Sequence, residues 1–253
     1  MEVGKKFIVS TYFENIKDTT DQAKGIPQPP LTLERDIKKL FINLPDPKQI
    51  SLPSLELRKA IEDRRSCRIF DGTLSLSMED LSWLLWATQG IVKISYVKNS
   101  MRTYRNVPSA GARHPFESWI VIRKVNTLAP GVYRYLPIEH GLQVENITRD
   151  FSGSLIELCK KQLWMANASV FFIWIADVYR SVWRYGERAY RGIFQDSGHI
   201  CQNLYLAAMN IGCGVCGIGD FEDLQISEFL ELDENKFFPI YIGAVGRPLE
   251  NKM

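Results

Sequence analysis

The sequence predicts an α+β domain in which helices flank a mixed central β-sheet, and three observations predict it. Apolar residues recur at steps of three and four from Glu187 to Ile211, which gives one long helix. Strand patterns stand at Glu117 to Arg123, Val170 to Ile175 and Ile240 to Val245, the second apolar on both faces as a buried central strand must be. Shorter helical patterns lie between them, and helices packed on a sheet give this class.

The elements follow in order. Residues 1–50 read as an irregular, extended N-terminal arm, because Gly25, Pro27, Pro29, Pro30, Pro45 and Pro47 keep breaking regular structure. The arm carries Phe7, Tyr12, Phe13, Leu31, Leu40 and Phe41, too many large apolar groups for a solvated tail, so it packs on something, a second subunit being one candidate. The main domain is expected over 51–253. Ser54 opens a helix with Leu57, Ala60, Ile61 and Arg64 on one face. Ser77 caps the next, with Asp80 in capping-box position; Leu81, Leu84, Leu85 and Thr88 form its buried stripe and Gly90 ends it. The strand from Glu117 is followed by a hairpin, Gly131 to Leu136 and Leu142 to Ile147, turning through Glu139-His140-Gly141. Gly212 closes the long helix. Val215 to Ile218 adds a strand, and Asp223 to Leu230 a short helix before the last strand.

Composition excludes several classes. Of 253 residues 45% are apolar and 24% charged, as in a protein with a full core. A net charge of +2 does not favour nucleic-acid binding. The longest apolar run, Ala168 to Ala176, is about half of what a spanning helix needs, and Met1 to Phe7 is no signal peptide. No membrane association is expected. Five cysteines without framework spacing point to a reducing, cytoplasmic location.

Some motifs are decoys. Gly212-Cys213-Gly214-Val215-Cys216-Gly217 reads both as G-x-G-x-x-G and as C-x-x-C. A dinucleotide fingerprint must follow a strand and open a helix, and here the order is reversed. The C-x-x-C pair has no second pair at zinc spacing, so no metal site is expected. His114, His140 and His199 are scattered, and no serine has the hydrolase glycines around it.

The informative cluster is Arg64-Arg65-Ser66-Cys67-Arg68, with Val107-Pro108-Ser109-Ala110-Gly111-Ala112 some forty residues on. Guanidinium forks match phosphate oxygens in pairs, and a serine both donates and accepts. The second segment is small enough to lie along a planar ring. Together they suit a flavin nucleotide, although the arginines alone also suit a solvated helix end.

Further segments stand in a specific order: Leu84-Leu85-Trp86-Ala87-Thr88-Gln89-Gly90, Trp183-Arg184-Tyr185-Gly186-Glu187-Arg188, Asp196-Ser197-Gly198-His199, Gln202-Asn203-Leu204 and Ala244-Val245-Gly246-Arg247-Pro248. From Leu55 to Pro248 the chain resembles the nitroreductase superfamily of FMN-dependent oxidoreductases, and within it the SagB-type, azoline-dehydrogenase-like branch. The resemblance implies a nitroreductase-like fold and a homodimer with exchanged arms. It implies that Arg64, Arg65 and Ser66 grip the FMN phosphate and that Arg68 lies at the pyrimidine edge of the ring. It sets Pro108, Ser109 and Ala110 along the isoalloxazine, Gly219 and Asp220 near N5, and Gly246 and Arg247 at a second phosphate contact. NAD(P)H is the implied electron donor and a small nitroaromatic or quinone the implied acceptor.

The alternative implied activity is oxidation of azolines to azoles in a modified peptide. There the branch uses a Lys-Tyr pair, matched here by Arg184-Tyr185, the expected catalytic residues. Arginine is a poor base, which weakens a literal transfer of that activity. Ala112 stands where many nitroreductases carry Asn, and Arg113-His114-Pro115 where the branch has Leu-Tyr-Pro.

Overall fold

The computed structural model describes residues 2–16, 18–97, 100–148 and 151–249. The chain runs α1 (Glu2–Ser10), β1 (Phe41–Asn43), α2 (Leu57–Asp63), α3 (Met78–Gln89), β2 (Ile91–Val97), β3 (Ser100–Arg105), β4 (Phe116–Ile122), β5 (Gly131–Leu136), β6 (Gly141–Asn146), α4 (Ser152–Leu158), β7 (Val170–Asp177), α5 (Tyr179–Tyr185), α6 (Ala189–Asn210), β8 (Gly214–Ile218), α7 (Asp223–Phe229) and β9 (Phe237–Gly246).

Seven strands form one sheet in the order β1-β6-β5-β4-β7-β9-β8, and β2 with β3 forms a separate hairpin. The α+β class holds. Where a mixed sheet is expected, every ladder is antiparallel. Parallel pairing is confined to the single bridges Ser66–Val215 and Leu76–Val125.

Strand β7 is buried along its whole length because both faces of the sheet are covered. Val170, Phe172, Trp174 and Ala176 point into the core shared with α3 and α6. Phe171, Ile173 and Ile175, the alternate set, point into a second core with α4 and α7. The capping box of α3 is present: the Asp80 amide donates to Ser77 Oγ and the Ser77 amide to Asp80 Oδ2, both at 3.0 Å. Gly90 ends α3 in extended conformation, not a left-handed one. Glycine is needed because a Cβ there would overlap the Trp86 ring.

The N-terminal arm is less irregular than its prolines suggest, since Glu2–Ser10 is helical. Its second half packs on its own sheet. The Leu31 carbonyl accepts from Arg105 Nη2 at 3.0 Å, and the Leu33 amide donates to Glu117 at 2.8 Å. The Glu34 carbonyl accepts from Arg134 at 2.8 Å, and the Asp36 amide donates to Gln143 at 2.7 Å. Polar side chains on otherwise apolar strands thus satisfy the backbone of an extended strap, which buries Leu31 completely. Beneath it, Glu117 takes Arg180 Nη2 at 2.5 Å with both groups buried, and Asp177 lies 3.3 Å from Arg180 Nε.

Buried His114 and half-buried His140 both favour the neutral form. Ser82 Oγ donates to the Pro45 carbonyl at 2.6 Å, so His140 Nε2, 2.8 Å from that oxygen, carries the hydrogen; His140 Nδ1 then accepts from Tyr135 at 2.8 Å. Burial holds His140 below its usual range. Burial, followed by the charge of Arg105, pushes His114 down to about 3.

Two outcomes are expected. Glu117→Ala strands the Arg180 charge and should lower the unfolding free energy by about 3–5 kcal/mol, read from urea midpoints. Both histidines are harder to protonate in the folded chain than in the unfolded one, so stability should fall as pH drops below about 6.5. For His114 the loss from pH 7 to pH 5 should be about 2 kcal/mol, and His114→Gln should remove that share of the slope.

Candidate active site

After α2 the chain lies along the free edge of β8, the last strand of the sheet. Ser66 bridges Val215, and the Cys67 amide donates to the Val215 carbonyl at 2.8 Å. Gly214 allows this approach, since a Cβ there would stand 2.6 Å from that of Cys67. The result is a cavity of about 690 Å³ walled by Arg65, Ser66, Cys67 and Arg68 on one side and by Tyr205, Met209 and Pro248 on the other. Arg65 Nη1 donates to the carbonyls of Glu62 and Arg64, both at 2.8 Å. Among the described residues no carboxylate pairs with Arg64, Arg65 or Arg68. Arg65 and Arg68 stand in the cavity wall together with Asp63, and Arg64 lies over the Tyr205 ring beside it, so two cations face one carboxylate in the wall itself with a third close by, a set that suits an anion.

Tyr205 organises this end. Its ring centre lies 5.1 Å from the Arg64 guanidinium carbon, and its hydroxyl is 3.0 Å from Ser66 Oγ while accepting from the Gly217 amide at 2.8 Å. Nothing in the sequence pattern marks Tyr205, because a helical aromatic reads first as core. Gly219 and Asp220 follow β8 and are exposed. Gly219 lies four residue steps beyond Val215, about 13 Å in extended chain. A Cβ on Gly219 would meet nothing within 4 Å, so the protein's own packing does not demand glycine there. Gly219 also lines a hollow of about 270 Å³ with Tyr190, Ile193 and Phe194.

Gly246 ends β9 and Arg247 follows it. Gly246 packs on the Phe70 ring, 3.0 Å from where a Cβ would stand. Arg247 pairs with Asp80 at 2.6 Å and donates to the Ile211 carbonyl. Its guanidinium is committed to the start of α3, and it is absent from the cavity wall.

Pro108 is exposed, Ser109 and Ala110 lie against α6, and Gly111 lies against α5. The Ala110 amide donates to Asp196 at 3.2 Å, and Ser109 Oγ accepts from the His114 amide at 2.9 Å. Burial raises the Asp196 carboxyl, while its hydrogen bonds to Ser109 and Ala110 act the other way. Asp196 belongs to the Asp196-Ser197-Gly198-His199 landmark, and its positioning of this turn emerges only in three dimensions. Gly111 has φ +59°, and a Cβ there would overlap the Tyr185 hydroxyl and stand 3.0 Å from Arg184 Nε. The structure therefore brings the flat segment and the Arg184-Tyr185 pair together.

It does not bring either to the arginine cluster within one chain. A Cβ on Gly192 would stand 3.3 Å from that of Ala110, whereas Tyr205 holds Ser66. Thirteen residues of helix separate Gly192 from Tyr205, about 20 Å along the axis and about 140° around it.

The C-x-x-C cysteines are buried free thiols. All five cysteines are free; burial pushes Cys213 up to about 12 and Cys216 in the same direction, which disfavours thiolates. Among the described residues no group of His, Cys, Asp or Glu is placed to hold a metal, and no helix is long and apolar enough to cross a membrane.

Comparison with known proteins bears on the same segments. The chain is 32% identical over 208 residues to a nitroreductase-type protein of Methanocaldococcus jannaschii, covering 81% of this chain and 99% of the relative. It is 31% identical over 194 residues to the trifolitoxin-processing protein TfxB of Rhizobium leguminosarum bv. trifolii, covering 72% of this chain and 52% of that protein. A nitroreductase-type crystal structure from Anabaena variabilis superposes with a TM-score of 0.67 at 29% identity, over 84% of this chain and 42% of that one. The E. coli microcin synthetase McbBCD complex with truncated pro-MccB17 gives 0.61 at 17% identity, over 98% of this chain and 93% of that one. A structure from Exiguobacterium sibiricum in complex with FMN gives 0.55 at 15%, over 79% and 92%. At the last two identities the likeness is one of fold. The Nitroreductase family model matches residues 61–247, from the helix before the arginine cluster to Arg247, and with that span the chain belongs to the nitroreductase family.

Proposed function

We propose that the chain is an FMN-dependent oxidoreductase that takes electrons from NAD(P)H and delivers them to a small electrophilic acceptor of nitroaromatic or quinone type. The observation that carries this reading is the cavity beside β8 with the guanidinium groups of Arg65 and Arg68 in its wall; about 13 Å further along the strand Gly219 lines a separate hollow with nothing over it. The donor set fits a phosphate monoester, and the reach fits a ribityl chain leading to a flat ring. Arg64, Arg65 and Ser66 would hold the phosphate, and Arg68 would set a positive charge at the pyrimidine edge. The Gly219 and Asp220 turn would face the reacting side of the ring. FMN supplies a two-electron centre that exchanges hydride at N5.

Arg247 has a supporting part in this reading. Held by Asp80, it fixes the strand end behind the cavity. Pro108, Ser109 and Ala110 lie on the far side of α6 from the cluster, so a second copy of the chain would supply them and the protein would act as a homodimer. In that assembly Arg184 and Tyr185 would stand beside the acceptor.

The likeness to a trifolitoxin-processing protein favours a second reading, a SagB-type dehydrogenase that oxidises azolines to azoles in a peptide. Azole formation removes a proton from carbon as hydride leaves. The Arg184 guanidinium cannot accept that proton, which leaves the Tyr185 hydroxyl as the candidate base.

The purified protein should be yellow and should release FMN, not FAD, on heating. Arg64→Ala should weaken flavin binding by about 1.5–3 kcal/mol, read by flavin fluorescence quenching; unchanged affinity would place the phosphate elsewhere. The two activities separate at Tyr185. Tyr185→Phe should leave quinone reduction largely intact, because hydride delivery needs no base there. Incubation with an azoline-containing peptide should give little loss of two hydrogens by mass spectrometry. Rapid loss that Tyr185→Phe abolishes would establish the second reading.

A further inference from the structure

Positive charge gathers around the Ser109–Ala112 turn, where the Asp196 carboxylate is engaged by the Ala110 amide and Ser109 and forms no ion pair with an arginine. Arg184 and Tyr185 both touch the space over Gly111. Two residues on, Arg113 is 3% exposed, and its guanidinium carbon lies 5.0 Å from the Trp183 ring centre. Its Nε donates to the Arg180 carbonyl at 3.0 Å and its Nη1 to Gln28 at 3.2 Å, but its Nη2 is buried with no partner. Gln28 in turn donates to the Met101 carbonyl at 2.9 Å, which ties Arg113 to the strand carrying Arg102. Arg180 is answered by Glu117 and Asp177. Among the described residues, Arg102, Arg113 and Arg184 have no carboxylate partner.

The groups feel one another. Burial pushes Arg113 down to about 10, and Arg184 is the next cause, with Arg180 and Arg102 adding to it and Tyr185 opposing it. Like charges held together in a poorly solvated place cost free energy, and a bound anion offsets that cost through charge-assisted hydrogen bonds. An orphaned guanidinium N–H on a buried side chain is a donor still waiting for an acceptor.

We propose that Arg102, Arg113 and Arg184 form an anion-recognition site beside Tyr185, and that the acceptor this protein reduces carries a carboxylate on the same small molecule as its electrophilic group. The inference rests on the oxidoreductase reading and names the substrate class for the same site. The carboxylate bound by the arginines would lay the rest of the acceptor along the Ser109–Ala112 turn. On this view an arginine stands at position 184 because the site grips an anion and does not need a base there.

The test compares 4-nitrobenzoate with its neutral counterpart 4-nitrobenzamide on flavin-loaded protein. The acid should be preferred in kcat/KM, and the acid-to-amide ratio should fall at least tenfold in Arg102→Gln and in Arg184→Gln, neither of which removes a fully buried side chain. Calorimetric titration with benzoate and benzamide on the same preparations gives a readout without turnover. Benzoate should bind more tightly than benzamide, and both variants should erase the difference. If neither nitro compound is reduced but benzoate binding is lost in the variants, the redox reading fails and the anion site stands. If the ratio and the benzoate affinity do not move, the anion site is wrong. If the variants instead alter only the preference for NADPH over NADH, the arginines hold the donor's phosphate and the acceptor claim is overturned.

Discussion

The ion pair between Arg180 and Glu117 is the contact on which the rest of the architecture leans. Both groups are buried, so neither is tolerable without the other. Glu117 sits on β4 and also takes the Leu33 amide, so it binds the N-terminal strap to the sheet. Arg180 sits on α5, and its carbonyl takes Arg113 Nε. From Arg113 the chain runs back through Ala112 to Ser109, and from Arg180 it runs on to Arg184 and Tyr185. One buried pair therefore sets the strap, the flat turn and the candidate acceptor-side residues in a single frame. Trp183 adds to it by donating to the Ile26 carbonyl at 2.9 Å.

The second constraint is the edge of the sheet. An unpaired outer strand exposes backbone donors and acceptors, and natural folds cover such edges. Here the segment after α2 covers β8 with a single bridge, and that bridge turns a run of cations into a cavity wall. Because α6 is long and packs along the sheet, it also separates the two halves of the candidate site. The arginine end lies by Tyr205, near its C-terminal half, and the flat turn by Gly192, near its start. A ligand that needs both must draw on two chains, so the length of one helix leads to the dimer proposed above.

Much of the fold was legible in the residues. The capping box at Ser77 and Asp80, the alternation along β7, the β5–β6 hairpin and the span of α6 all rest on contacts within a few residues, where sequence spacing and geometry are nearly the same thing. The β2–β3 hairpin was not legible, since it stands apart from the main sheet and β2 leaves Val92 and Tyr96 exposed, without a half-buried alternation. Helix α5 was missed because it is seven residues long and all but continuous with the turn before α6. The strap on the sheet was missed because Glu117, Arg134 and Gln143 look like outward-facing polar residues until the strap covers them.

By itself the sequence determined the local elements, the family segments and the presence of a dense group of arginines beside a serine. Only the tertiary structure decided which arginines are available to a ligand. Arg247 and Arg180 are answered by internal carboxylates, Arg247 by Asp80 across 167 residues and Arg180 by Glu117 across 63. Among the described residues, Arg65 and Arg68 in the β8 cavity wall, Arg64 over the Tyr205 ring, and Arg102, Arg113 and Arg184 near the turn pair with no carboxylate. The reason is physical: a cation is neutralised by whatever stands within a few ångströms of it, and over such separations along the chain only the packing of the sheet and helices decides what that is.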